Sequence, residues 1–303
     1  MKMLNNLIAN ILPYFPKKVV GYFSKDYIAG ATPQDAVNAV KKLMAEGCCA
    51  TIDILGEEIT RKEQSTSAVN KYHEMLETIR DEKLDANISL KPTHMGLKID
   101  RDFCFRNIRS LVEHARQLNN FVRIDMEDSS CTEDTLEFYR TLHEEFDNVG
   151  VVLQAYLRRT IPDINVLSTL KPNIRLCKGI YIEPHRLAYK DPELINKNYA
   201  YALQKLFESH AYVGIATHDE LLIWEALRLI DQLNLSVDQY EFQMLLGVQP
   251  RLRKLLVESG HRLRVYVPFG QEWFAYSTRR LKENPHIVGH VLRNAFSRFS
   301  MED

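Results

Sequence analysis

The chain has 303 residues, 39 basic and 40 acidic, for a formal net charge of −1, with 45% hydrophobic and 26% charged residues. That balance belongs to a globular protein and excludes a disordered chain, which pairs low hydrophobicity with high net charge. It also argues against a nucleic-acid partner, which calls for a basic excess or stripe.

In chain order, Leu4, Leu7, Ile8, Ile11 and Leu12 stand at helical spacing until Pro13 ends the run. Asn5, Asn6 and Asn10 interrupt that stretch and no small-residue cleavage site follows, so it does not read as a secretory signal and a cytoplasmic location is expected. Thr32–Pro33 opens a helix with Ala36, Val37, Val40, Leu43 and Met44 on one face, and Gly47 closes it. A rhythm follows. Short β-branched or apolar runs at about 49–55, 87–91, 121–126, 149–156, 173–180, 212–216, 240–246 and 263–267 predict strands. Amphipathic stretches near 60–82, 103–118, 133–146, 162–170, 192–209, 219–233, 250–259 and 271–283 predict helices between them.

Eight strands alternating with eight helices is the pattern of a (β/α)8 TIM barrel, and nearly continuous apolar strands favour parallel pairing. A doubly wound open sheet competes, but the count of eight and the lack of a G-x-G-x-x-G after any strand weaken it. No Pro/Gly/Ser-rich linker divides the chain. The expected layout is an N-terminal helical arm over 1–47, a catalytic barrel over 48–285 and a C-terminal helix over 286–303. No window reaches the roughly 18 consecutive apolar residues of a membrane span.

Barrel enzymes place reactive groups at the C-terminal ends of their strands. Here those ends carry Lys91, then Asp125, Glu127 and Asp128, then Gln154, Tyr156, Arg158 and Arg159, then Arg175, Lys178 and Tyr181, then Thr217, His218 and Asp219, and finally Tyr266. A wall strand carries a polar tip cheaply only at a solvated end, so polar tips at one common end predict a polar pocket. The plainer alternative is that strand ends are polar in any barrel. The last predicted helix holds Tyr276, Arg279, Arg280 and Glu283 at offsets of three and four. Its paired planar guanidinium forks suit a carboxylate or phosphate, although the spacing alone fits a solvated face with one salt bridge. The aromatic residues upstream (Tyr266, Phe269, Trp273, Phe274) tilt it towards a lid over a pocket.

Single residues say less. His218 has no second His or Cys at ligand spacing, so no metal is expected, and an HxD-type pair often satisfies only itself. Lys178 could be a Schiff-base lysine or a cation for an anionic cofactor. Met75, Met95, Met126 and Met244 read as core residues. The five cysteines (Cys48, Cys49, Cys104, Cys131, Cys177) form no CxxC pair and suggest neither a disulfide framework nor a zinc site.

Nine motifs, taken together and in order, resemble those of the monofunctional proline dehydrogenases. They are D-I-L-G-E (53–57), S-L-K-P (89–92), R-I-D-M-E-D (123–128), Q-A-Y-L (154–157), R-L-C-K-G-x-Y-x-E-P (175–184), A-T-H-D (216–219), E-F-Q-M-L-x-G (241–247), Y-V-P-F-G (266–270) and Y-x-x-R-R-L-x-E-N (276–284). The resemblance implies FAD-dependent oxidation of L-proline to Δ1-pyrroline-5-carboxylate by hydride transfer to flavin N5. Electrons would pass to a quinone, in the first step of proline catabolism to glutamate.

It also implies residue roles. Arg279 and Arg280 would bind the proline carboxylate with Lys91, while Tyr276, Leu245 and Tyr266 would pack the ring. Asp125 would lie beside substrate and Lys91, and Asp125, Lys91 or water would take the amine proton. Gln154, Arg175, Lys178, Tyr181, Thr217 and His218 would contact FAD, Glu283 would hold the arginine helix, and Glu57 would gate the second arginine. A tyrosine at 266 favours proline over 4-hydroxyproline, because relatives that handle the latter carry a smaller residue there. No aldehyde-dehydrogenase module follows Asp303, so the product would be released or passed to a pyrroline-5-carboxylate dehydrogenase. Quinone reduction suggests peripheral contact with the cytoplasmic face of the inner membrane through Leu4–Phe23, with Lys17 and Lys18, or 286–299, both of which could instead simply cap the barrel. Two other readings stay open: a flavin-free TIM-barrel lyase using Lys178, and a non-catalytic proline-binding barrel.

Overall fold

A computed structural model describes residues 27–56, 59–274 and 277. Eight strands form one closed, all-parallel barrel in sequence order, with β8 hydrogen-bonded back to β1. They are β1 (Cys49–Ile54), β2 (Ala86–Leu90), β3 (Val122–Ile124), β4 (Val149–Gln154), β5 (Asn173–Cys177), β6 (Tyr212–Ala216), β7 (Tyr240–Leu245) and β8 (Leu263–Phe269). The described helices are α1 (Pro33–Ala45), α2 (Lys62–Asp81), α3 (Arg101–Gln117), α4 (Thr132–His143), α5 (Thr160–Leu167), α6 (Pro192–Glu208), α7 (Glu220–Gln232) and α8 (Pro250–Glu258). The TIM-barrel class expected from the alternation is the fold observed.

The strands themselves differ from the expected continuous apolar runs: most alternate. Ile52 and Ile54 of β1, Ile88 and Leu90 of β2, Val213 and Ile215 of β6, and Val265 and Val267 of β8 belong to the hydrophobic core with the inner faces of the helices. The polar residues between such positions bond inside the barrel: Arg175 to Ser89, Gln243 and Asp125, Asp53 to Lys91, and Arg264 to Glu241 and Ala50 O. With a side-chain period of two, the apolar half of each strand meets helices and the polar half fills the barrel. Polar side chains therefore run down the barrel interior rather than only tipping its rim. At the opposite, N-terminal end the column meets a cavity of about 920 Å³ whose lining includes Arg123, Asn173, Glu241 and Arg264, remote from the C-terminal cluster described below.

Helix starts are set by side-chain caps. Thr32 and Asp35 form a capping box on α1, Asp100 caps α3, Asp191 caps α6, and Asp219 caps α7. Helix α1 packs against β8 and β1, covering the seam where the barrel closes. Of its expected face, Ala36, Val37, Val40 and Leu43 are buried, whereas Met44 is exposed and its sulfur accepts the Asp85 N–H. β4 and β5 stop at Gln154 and Cys177, short of the expected 156 and 180. The chain there turns, with Leu157 N donating to Gln154 O, and this hands Tyr156 and Lys178 to the rim loops. Met75, Met95, Met126 and Met244 are buried, and all five cysteines are free thiols. Among the described residues, no helix is long and apolar enough to cross a membrane.

Candidate active site

Four charged side chains from four strands meet at the C-terminal end of the barrel. Lys91, just past β2, donates to Asp53 of β1 at 2.6 Å and lies 3.4 Å from the Tyr266 hydroxyl of β8. Tyr266 donates to Asp125 Oδ2 at 3.0 Å. Asp125 Oδ1 receives Ser89 Oγ at 2.7 Å and Arg175 Nη1 at 2.7 Å. The guanidinium of Arg175 also lies 5.4 Å from the centre of the Tyr266 ring. The side chains are buried or nearly so, and the charges of Lys91, Asp53, Arg175 and Asp125 cancel in pairs. Burial alone pushes Asp53 up, but the Lys91 ammonium and hydrogen bonds from Lys91 and Tyr266 outweigh it, leaving the carboxyl below its ordinary range. Tyr72, from α2, completes the floor: its hydroxyl accepts the Ile54 N–H and bonds Asp53 Oδ1 and Ser89 O.

A second group lies over β5, β6 and β7. Lys178 pairs with Asp219 at 2.7 Å, and Asn196 Nδ2 donates to the same oxygen at 3.1 Å. Burial raises the Asp219 carboxyl, yet these partners and the Leu221 N–H bring it below its usual value. Thr217 Oγ1 accepts the Asp219 N–H. His218 Nε2 accepts the Leu245 N–H at 2.9 Å, which places its ring proton on Nδ1. His218 and Asp219 thus bond to other residues, His218 to the Leu245 N–H and Asp219 to Lys178, Asn196 and the Leu221 N–H. Tyr181 is half-buried in the loop after β5.

Several buried polar atoms at this end of the barrel have no hydrogen-bond partner among the described residues: Arg175 Nη2, Gln154 Oε1 and Asn196 Oδ1. Gln154 spends its amide nitrogen on Met126 O at 3.3 Å. Buried donors and acceptors are almost always satisfied, so a polar ligand with both hydrogen-bonding characters fits this rim.

Of the residues anticipated at the site, Lys91, Asp125, Tyr266 and Arg175 form one cluster, and Gln154, Lys178, Thr217, His218, Tyr181 and Leu245 lie around the same barrel end. Glu57, Tyr276, Arg279, Arg280 and Glu283 lie outside the described residues, as do the two terminal segments considered for membrane contact. Asp53, Ser89, Tyr72 and Gln243 take part without having been anticipated. The signal for three of them was alternation, with a polar residue at every second position of β1, β2 and β7; Tyr72 gave none, standing on the apolar face of its helix.

A profile of the family described as proline dehydrogenase matches residues 36–293. The chain belongs to the proline dehydrogenase family. It is 37% identical over 270 residues to proline dehydrogenase 1 of Bacillus subtilis subsp. natto, covering 89% of each chain. It is 34% identical over 272 residues to the proline dehydrogenase of Deinococcus radiodurans, covering 88% of each. Among solved structures, proline utilization A from Bdellovibrio bacteriovorus, inactivated by N-propargylglycine, superposes with a TM-score of 0.84 at 27% identity, over 89% of this chain and 33% of that longer one. The chain is accordingly an oxidoreductase, and its family's reaction is the oxidation of proline.

Proposed function

We propose that the protein is an FAD-dependent L-proline dehydrogenase that forms Δ1-pyrroline-5-carboxylate and passes electrons on to a quinone. The observation that carries this reading is Arg175. It is held by Asp125, Ser89 and Gln243, yet keeps one buried guanidinium nitrogen unpartnered beside the other open donors and acceptors of the rim. A flavin, whose ring edge and phosphates carry acceptors as well as donors, suits that set, with Gln154, Arg175, Lys178, Tyr181, Thr217 and His218 as its holders. When bound, FAD supplies the acceptor for a hydride from the substrate ring.

The protein's own residues bind and orient. Because Lys91 and Arg175 are each matched by a carboxylate, the cluster has no net cation for a substrate carboxylate. Arg279 and Arg280 supply it, with Glu283 steadying them and Glu57 gating the second arginine. Tyr266, Tyr276 and Leu245 pack the pyrrolidine ring so that its carbon meets the acceptor at reacting distance. Both Asp125 oxygens are taken by donors, so it orients Tyr266 and Arg175; Lys91, an ammonium paired with Asp53, has no lone pair to take the amine proton, which leaves to water. Lys178 donates to Asp219 and is about a third exposed, far from the dry, unpaired setting of a Schiff-base lysine, which disfavours the lyase reading. Membrane contact through the terminal segments and hand-over to a pyrroline-5-carboxylate dehydrogenase belong to the same proposal.

Two experiments test it. Arg280→Met should raise the proline KM at least tenfold with flavin content unchanged; an unaltered KM removes the carboxylate role. N-propargylglycine, which inactivates the Bdellovibrio relative, should inactivate this protein in step with loss of oxidised-flavin absorbance. Inactivation without any flavin change would contradict the cofactor assignment.

A further inference from the structure

We infer that Gln243 is a positioning residue, which couples the buried Glu241–Arg264 ion pair to Arg175 and so fixes the direction in which that guanidinium presents its open nitrogen. The inference rests on the reading of Arg175 as facing the cofactor and deepens it.

The chain of contacts is continuous. Arg175 Nε donates to Gln243 Oε1, and Gln243 Nε2 donates to Glu241 Oε1 at 2.6 Å. Glu241 Oε1 also accepts from Arg264 Nε at 2.7 Å, and Arg264 Nη1 reaches across to Ala50 O at 2.6 Å. Glu241 Oε2 takes the Tyr212 hydroxyl at 3.1 Å. A side-chain amide can face two ways, but a guanidinium only donates and a carboxylate only accepts. Only one orientation therefore satisfies both neighbours, with oxygen towards Arg175 and nitrogen towards Glu241. Glutamate at 243 would set one carboxylate against another, leucine would leave both neighbours short of a partner, and a cation would face Arg175.

Two further features belong to this arrangement. Gly214 lies beside both Arg175 and Glu241 in the barrel register, and a Cβ there would fall 2.4 Å from Gln243 Nε2 and 2.9 Å from its Cδ. The missing side chain is the space the amide occupies. Arg123, on β3, lacks a carboxylate of its own and bonds Val151 O and Asn173 O instead. Burial first, and then the nearby Arg175 charge, bring it down to about 9, while Glu241 acts in the opposite sense. Glu241 thus offsets cations on both sides, and Gln243 is the link by which it reaches Arg175 without pairing with it. With Nε on Gln243 and Nη1 on Asp125 and Ser89, Nη2 is left with one direction to point.

The test uses FAD-loaded protein. In Gln243→Leu, the absorption envelope of bound flavin should shift and kcat should fall about 10- to 100-fold, the range typical of lost outer-shell partners, while the proline KM moves less than threefold. Gln243→Glu should be rescued by acid: protonated, the introduced carboxyl accepts from Arg175 and donates to Glu241, whereas ionised it repels Glu241. Its kcat relative to wild type should therefore rise as pH falls. A wild-type spectrum and kcat in Gln243→Leu, a pH-independent kcat ratio in Gln243→Glu, or failure of both variants to fold overturns the inference. Failure of the dehydrogenase reading is distinct, because wild-type protein would then not lose its flavin absorbance with proline.

Discussion

Asp125 takes three donors on two oxygens, and that count sets what its replacement does. Asp125→Asn leaves the Arg175 guanidinium buried without its countercharge, a loss of about 3–5 kcal/mol for a broken buried pair. Thermal unfolding should show a clear drop in midpoint, with proline turnover reduced by at least tenfold; a variant as stable and active as wild type would break the link between the pair and the site. Tyr72→Phe is milder, since only the bonds to Asp53, Ser89 O and Ile54 N are lost, at about 1–3 kcal/mol. A melting point unchanged within a degree would mean water replaces that hydroxyl. Lys91 and Asp125 are legible because each follows directly on a strand, whereas Arg175 and Tyr266 stand in mid-strand and are legible only through the motifs that contain them. Their partners were less so, since which polar atom meets which across a barrel depends on register, and Tyr72 reaches the site from an apolar helix face.

Strands and helices carry their own demands. Gly150 of β4 lies beside Arg123, and a Cβ there would stand 2.4 Å from Arg123 Nη1 and 2.7 Å from Asn173 O. Gly150→Ala should destabilise by about 1–3 kcal/mol through overpacking, lowering the melting point by several degrees. No change would show that the polar column yields freely. Helices α3, α6 and α7 are legible from their amphipathic stretches, and the Asp caps at residues 100, 191 and 219 fix where they start. Where alternation matters, an apolar-run reading of β7 (Tyr240–Leu245) hides Glu241 and Gln243, which face the interior network while Tyr240, Phe242 and Met244 face the core. The ends of β4 and β5 were set too far along because Tyr156 and Lys178 continue the hydrogen bonding for a step as the chain turns.

The whole molecule should respond to acid in a defined direction. Burial brings His94 down to about 4, and burial also lowers His73 and His261. These rings are neutral when folded but bind protons from about pH 6.5 when unfolded. The unfolded state therefore binds more protons in that window, and stability falls as pH drops from 6.5 towards 4, by about 3 kcal/mol for His94 alone. A chemical-denaturation series should show this slope, and His94→Gln should flatten it; an equal slope in the variant would assign the loss elsewhere. At this scale the barrel was the most legible feature, since eightfold alternation leaves few other architectures. In the proposed function, the rim cluster and its open polar atoms hold a flavin against the proline ring. Anaerobic addition of L-proline to FAD-loaded protein tests it most directly. Oxidised-flavin absorbance should disappear with pyrroline-5-carboxylate formed in equal amount, whereas a bound flavin that keeps its spectrum at saturating proline would contradict the account.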